Sequence, residues 1–431
     1  MVNNWEETAL GDVFKVNHGF AFKGEYFTEV EKKTVLVTPG NFAAGGGFQN
    51  QKPKYYDGPY PEDYVLTPGQ VVITMTDLSK GSDTLGYAAI IPDDGNIWLH
   101  NQRIGLVELL DESRADLVFI NYLLRTHEYR SWIIGSASGT TVKHTSPGRI
   151  EKYRCRIPPL HEQRAIAHIL GSLDDKIELN RQMAQTLESI ARAIFKSWFV
   201  DFDPVKAKME GKQPEGMSEE IAALFPDRLV DSELGMIPEG WEVLKFPEEF
   251  DFTMGQSPPG SSYNEYFNGV PFYQGSADFG QWYPTERIYC TAPTRFANKG
   301  DVLFSVRAPV GDMNIALSDC AIGRGLCCIR HKSGSTALTY LYLTNTKSVM
   351  EHNAGEGAVF KSLSKKQLTM LPVVSIPDVI AKSFIKIVDP IFEKIQSLED
   401  NARTLCSLRD TLLPRLISGK IRLKQPEDAA A

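Results

Sequence analysis

No run of eighteen apolar residues occurs in the chain, and its first stretch, "MVNNWEETALGDV", has no apolar core. A membrane-crossing helix needs about 20 apolar residues and a secretory signal needs an apolar centre, so a cytoplasmic, unprocessed protein is expected. Cysteine is sparse. Cys155, Cys290, Cys320, Cys327, Cys328 and Cys406 are scattered and form no CxxC pair. That spacing argues against a zinc site or a disulfide framework and leaves buried free thiols as the expectation. Catalytic signatures are also missing. No GxxxxGK[ST] loop is available to cradle ATP phosphates, and "AAGGGFQ" and "GRGLCC" lack the spacing of a dinucleotide fingerprint. "HEQRA" has Ala165 where a zinc-binding helix would carry its second histidine, and "SPPG" (257–260) lacks the flanking residues of an adenine-methylating [ND]PP[FY] motif. By subtraction, the composition suits a protein that binds and organises rather than an enzyme.

What remains is an ordinary globular composition, 42% hydrophobic and 23% charged over 431 residues, enough for two or three domains. A net charge of −8 argues against a protein that simply coats nucleic acid. The average conceals local patches. "KHTSPGRIEKYRCR" (143–156) sets Lys143, Arg149, Lys152, Arg154 and Arg156 against Glu151 alone, and neither "RGLCCIRHK" nor "KSLSKK" contains an acid. Such patches fit either a DNA-facing surface or plain solvated faces.

The chain is a duplication. "NWEETALGDVFKVNHG" is echoed by "GWEVLKFPEEFDFTMG", and "TPGQVVITMT" by "ANKGDVLFSVR". From Tyr122 to Ile194 the first half aligns with Tyr340 to Leu412 at a constant shift of 218, pairing Gly139 with Gly357, Lys143 with Lys361 and Pro159 with Pro377. Each copy begins with short apolar strands ("VVITM", "YAAIIP", "IGLVEL"; "VLFSV", "NIALS", "LCCIR") punctuated by Gly, Pro, Asn and Asp. A helix follows in each ("DLVFINYLLRTHEYRSWI"; "TYLYLTNTKSVMEH"), then a glycine-containing basic loop, then a long helix. The expected class is α/β (α+β), as two globular domains in a pseudo-twofold chain.

Both long helices carry a heptad seam. In the first it passes through Ile166, Leu170, Leu173, Ile177, Asn180, Leu187 and Ile194; in the second, through Val388, Ile391, Ile395, Leu398, Leu405 and Leu412, with Arg409 interrupting it. Two seams of equal length in one chain can bury each other as an antiparallel coiled coil, with Asn180 as a polar residue that fixes register. A helix from 160 to 200 would span roughly 60 Å at ~1.5 Å per residue. Gly171–Ser172 and Pro390 are candidate bends.

"IPPLHEQRAIAHILGSLDDKIELNRQ", "AIFKSWFVDFDPVKAKMEGKQPEGM", "LFPDRLVDSELGMIPEGW" and "LRDTLLPRLISGKIRL" resemble the specificity (S) subunit of Type I restriction-modification enzymes over essentially the whole chain. The second copy departs from the motif, since "SIPDVIAKSF" lacks the Glu162–Gln163 pair. The resemblance implies a target-recognition domain at 1–157, a spacer helix at 158–200, a linker at 201–236, a second recognition domain at 237–374, and a spacer helix with tail at 375–424. It implies a prokaryotic, non-catalytic reader of a bipartite double-stranded DNA sequence. Its expected partners are two modification (methyltransferase) subunits and the restriction (motor-endonuclease) subunits. The chain itself would bind no cofactor; S-adenosylmethionine, ATP and magnesium would belong to those partners. Two alternatives stay open: a specificity subunit of a related Type II system with a fused nuclease-methyltransferase, and a coiled-coil assembly scaffold without DNA binding.

Phosphate contacts position a DNA-binding domain and base-edge contacts give it specificity. The candidates are Lys143, His144 and Arg149 in the loop before the first long helix, matched by Lys361, Ser362, Lys365 and Lys366 in copy two. Lys80 and Ser82 follow one strand, and Arg307 follows its counterpart. Asn101, Gln102, Arg103 and Arg324 could read adenine or guanine edges, or could stabilise turns. Gln163, Arg164, Arg181 and Arg192 are expected off the seam, where partner subunits would dock. Aromatics in "QKPKYYDG" and "YQGSADFGQWYP" are expected in the core more than on DNA.

Overall fold

The chain divides into two units, residues 1–180 with 401–431 (unit 1) and residues 181–400 (unit 2). The computed structural model describes residues 5–50, 52–77, 79, 81, 83–139, 142–353 and 362–423. In unit 1 a four-stranded sheet is ordered Phe14–His18, Ile104–Leu109, Val71–Thr74, Ala88–Ile90. A five-stranded sheet is ordered Phe27–Thr28, Tyr55–Tyr56, Thr34–Val37, Ile97–His100, Val65–Leu66. Unit 2 repeats the first as Phe250–Met254, Leu326–His331, Val302–Ser305, Met313–Ile315. It repeats the second as Tyr263–Asn264, Tyr289–Cys290, Val270–Tyr273, Cys320–Ile322, Phe296–Ala297. Each five-stranded sheet contains a parallel pair, Thr34–Val37 with Ile97–His100 and Val270–Tyr273 with Cys320–Ile322. The mixed strand-and-helix class and the duplication are thus both present.

Val71–Thr74 and Val302–Ser305 are buried at every residue. Val72 faces Val35, Trp98 and Ile104, whereas Val71 and Ile73 face Phe14, Phe119 and Ile133. A strand covered on both faces reads as an unbroken apolar run, hence "VVITM" and "VLFSV". Cys320 and Cys328 belong to the matching cluster of unit 2, where burial pushes their thiols up to about 12 and about 11. As neutral thiols they pack like small apolar groups.

One backbone approach occurs in both copies. A Cβ on Gly19 would stand 2.2 Å from Asn101 O, and one on Gly255 would stand 2.2 Å from Gly323 O. Only glycine permits either crossing, which explains why both echoed N-terminal segments end in glycine.

The structure corrects one expected helix. Residues 116–133 form two, Leu117–Leu123 and His127–Ser136, parted by an extended Thr126 whose hydroxyl donates to Leu123 O at 2.8 Å. Copy two is continuous over Thr336–Asn353. The break turns Arg125 toward the first long helix, as described below.

The long helices are Leu160–Phe199 and Asp378–Ile417, 40 residues each, helical through Gly171–Ser172 and Pro390. Among the described residues, no helix is long and apolar enough to cross a membrane. Ile166, Leu170, Ile177, Asn180, Val388, Ile395 and Leu398 are buried. Leu173, Leu187, Ile194, Ile391, Leu405 and Leu412 are half-buried. In unit 1, Ile166 and Leu170 share a cluster with Leu413 and Leu416, and Asp174 meets Arg409, so the two helix segments run in opposite directions. In unit 2, Phe195, Trp198 and Phe199 gather around Phe384.

Asn180 is 2% exposed, and its Nδ2 has no hydrogen-bond partner among the described residues. An unmet buried donor costs about 1–3 kcal/mol. Asn180→Leu should therefore raise the urea midpoint of the full chain by an equivalent amount. A midpoint that stays level or falls would mean that the amide is satisfied.

Candidate nucleic-acid interface

Both units build the same three-ply junction at the end of a central strand. In unit 1, Met75 N–H donates to Arg103 O at 2.9 Å, and Thr145 N–H donates to Met75 O at 3.0 Å. In unit 2, Val306 N–H donates to Gly325 O and Leu363 N–H to Val306 O, both at 2.8 Å. Met75 and Val306 are buried and anchor the junction. One residue on, Thr76 pairs with His144 and Arg307 with Ser362. A hydroxyl fixes the backbone there in each unit: Thr74 Oγ1 donates to Thr76 O at 2.9 Å, and Ser305 Oγ to Arg307 O at 2.8 Å.

The junction gathers most of the candidates that are far apart in sequence. Gln102, Arg103, Lys143 and His144 share the edge of unit 1; Arg307, Arg324 and Ser362 share that of unit 2. Gln102, Arg103, His144, Arg307, Arg324 and Ser362 are exposed, and Lys143 is half-buried. His144 Nδ1 lies 3.1 Å from Thr76 Oγ1. Arg149 reaches the same edge through Ser138, to which its guanidinium donates at 3.3 Å and which itself pairs with His144. Asn101 is a turn residue, its Oδ1 accepting from Arg103 N–H at 3.1 Å. Lys365 and Lys366 are exposed in the first turn of Lys365–Met370, a helix capped by Ser364. Lys80, Ser82 and Lys361 lie outside the described residues. Among the described residues, no group of three His, Cys, Asp or Glu is placed to hold a metal ion.

Sequence reasoning missed Asp77. This buried carboxylate accepts from Ser79 N–H (2.6 Å), Thr84 N–H (2.6 Å), Thr84 Oγ1 (2.8 Å) and Leu85 N–H (3.0 Å). Burial would raise its pKa, but the hydrogen bonds from Ser79 and Thr84 outweigh that and hold it below the usual carboxylate value. Asp77 is thus the hub of the loop that contains Lys80 and Ser82. An aspartate ahead of a Ser/Gly/Thr run ("DLSKGSDT") was the available signal. Copy two has Ala308 next to Arg307 and a tighter loop: Gly311 N–H already returns to Ser305 O, where in unit 1 Gly86 returns to Thr74.

The sequence matches the family described as Type I restriction modification DNA specificity domain over residues 3–189 and 238–401. It is 31% identical over 351 residues to the MjaX type I restriction enzyme specificity subunit of Methanocaldococcus jannaschii, covering 80% of this chain and 77% of that one. The chain belongs to the Type I specificity family. The HindI specificity subunit of Haemophilus influenzae is 26% identical, over 97% of this chain and 100% of its own. The crystal structure of a Type I restriction-modification S subunit from M. genitalium has the same fold, with a TM-score of 0.58 at 16% identity, over 97% of this chain and 98% of that one.

In this member of the specificity family, the Glu162–Gln163 motif is structural. Gln163, expected off the seam as a docking residue, is instead fully buried. Its amide donates to Arg114 O (2.9 Å) and Pro158 O (2.8 Å) and accepts from Asp116 N–H (2.9 Å), leaving nothing for a partner. Glu162 accepts from Trp5 Nε1 at 3.1 Å and pairs with Arg422 at 2.7 Å. Copy two puts buried Ile380 and Ala381 at these places, so the second unit omits the polar tie altogether. Arg164 and Arg181 are exposed, while Arg192 is held by Glu188 at 2.6 Å.

Arg409, the interruption in the second seam, donates to Asp174 at 2.6 Å. Asp174 also accepts from Tyr122 OH (2.7 Å) and from Arg125 (3.1 Å). In unit 2 the equivalent tyrosine, Tyr340, donates to Glu188 at 3.2 Å, as does Trp282 Nε1 at 2.8 Å. Trp282, Tyr283 and Tyr56 are buried, so the aromatic-rich segments build core. Each unit is thereby fastened to a carboxylate on the first long helix.

Proposed function

We propose that the chain is the non-catalytic DNA-reading subunit of a Type I restriction-modification complex, with each unit reading one half of a bipartite target. The observation that carries this reading is the duplicated junction around Met75 and Val306, which presents polar and cationic side chains at the same place on two copies of one scaffold. Arginine, lysine, glutamine and histidine donors on such an edge suit base edges and phosphates. The two long helices serve as the spacer between the half-sites, and their exposed faces, including Arg164 and Arg181, are where two modification subunits dock. Restriction subunits join that assembly. S-adenosylmethionine, ATP and magnesium belong to the partners, and the adenine to be methylated leaves the stack for the partner's pocket.

The test is sequencing of N6-methyladenine in DNA from cells expressing the chain with its cognate methylase. A methylated bipartite motif is expected. Exchanging residues 1–155 for those of another specificity subunit should change one half of that motif and spare the other. No motif beside an active methylase would move the protein to an assembly role.

A further inference from the structure

Unit 2 brings two arginines to the same end of one strand pair. Val302–Ser305 pairs antiparallel with Leu326–His331 up to Ser305 opposite Leu326, and the Val306 N–H to Gly325 O bond extends this pairing by one residue. Arg307 follows Val306 directly, and Arg324 precedes Gly325 in a turn closed by Leu326 N–H on Gly323 O, so both stand at the same end of this strand pair. Arg192, Arg228, Arg287 and Arg330 of the same unit each hold a carboxylate. Arg307 and Arg324 are exposed, and neither guanidinium has a hydrogen bond or ion pair among the described residues.

Their backbone, by contrast, is tightly fixed. A Cβ on Gly323 would stand 2.8 Å from Gln274 Cα, and one on Gly325 would stand 2.5 Å from Gln274 O, so Arg324 rises from an arch whose flanks admit no side chain. Arg324 N–H donates to Ser257 Oγ at 3.3 Å. Arg307 is pinned by the Ser305 hydroxyl and by its pairing with Ser362. Two unneutralised guanidinium groups carried on a fixed backbone form a site that lacks only its acceptor. The corresponding row of unit 1, Gln102, Thr76 and His144, contains no arginine.

Building on the proposed function, we infer that Arg307 and Arg324 recognise guanine in the half-site read by unit 2. The fork of an arginine matches guanine O6 and N7 in the major groove, whereas a phosphate would accept the same donors without regard to sequence.

Two measurements separate these sources. In the methylation assay, Arg307→Ala and Arg324→Ala should each relax a guanine position in one half-site and leave the other half-site unchanged. In a binding assay with the chain and its modification subunits, 7-deazaguanine at that position removes N7 and keeps every phosphate. It should weaken the unaltered complex by about tenfold and have little effect on the arginine-to-alanine complex. An unchanged motif with uniformly weaker binding and a shallower salt dependence would assign the pair to phosphate and overturn the inference, as would 7-deazaguanine without effect. Failure of the unaltered chain to direct any motif would instead remove the proposed function on which the inference rests.

Discussion

Asp174→Ala should cost unit 1 about 3 kcal/mol, the lower end for removing one partner from a buried ion pair, because the Asp174 side chain keeps 29% of its exposure. The Arg125 side chain is only 3% exposed and would be left without its counter-charge, while Arg409 would keep only its exposed neighbour Asp410. Tyr122 would lose the acceptor of its hydroxyl. The pH dependence has a definite sign. Burial raises the Asp174 carboxyl, but Arg125 and Arg409 outweigh it and hold the pKa below the ordinary value. The contribution is therefore fully present above the unfolded value, about 4, and is lost as pH falls through the folded one. Urea unfolding at neutral pH should give a lower midpoint for the variant, and the two proteins should converge on acidification. A loss under about 1 kcal/mol would class the cluster with ordinary surface pairs.

On the proposed function, Asp77→Ala should disable one reader while leaving the chain folded. Four donors converge on this carboxylate, and hydrogen bonds to charged groups are worth about 1.5–3 kcal/mol each. Without it, Ser79, Thr84 and Leu85 lose the centre that shapes their loop. Asp77→Asn is the sharper variant, because its NH₂ would face N–H donors. Both should degrade recognition in the half-site read by unit 1, seen as lost base identity in the methylation motif, and should speed proteolysis between 77 and 85. Unit 2 has no counterpart and its half-site should persist. Equal damage to both half-sites would mean that Asp77 acts on global stability instead.

The features legible in the sequence were those with a period or an echo. The heptad steps exposed both long helices, and the 218-residue shift exposed the duplication, because each is a regularity that no partner is needed to recognise. Arg409 looked like a defect in a seam. Its reason for being there is Asp174, on the other helix, and nothing in the sequence connects the two. Gln163 looked available because it is polar and precedes the first apolar seam residue, Ile166; its burial depends on carbonyls of Arg114 and Pro158 that only the folded chain brings close. Arg103, Met75 and Thr145 meet through backbone hydrogen bonds, which are blind to side-chain identity, so their junction left no motif. Trp282 was readable as core, but not as a donor to Glu188.

The fastening of Trp5 and Arg422 on Glu162 has a consequence for synthesis. The core of unit 1 includes Leu413, Leu416 and Ile417, so its opening 180 residues wait on a segment that emerges only after all of unit 2. At about 5–20 residues per second, the ribosome takes on the order of ten to forty seconds to cross residues 181–400. During that interval unit 2 has everything it requires, while unit 1 holds an uncovered apolar seam on its half of the first long helix. The later-made unit is therefore the first able to fold. A nascent chain whose first 400 residues have emerged would present a complete second half and a first half ready for chaperones, proteases or a neighbouring nascent chain.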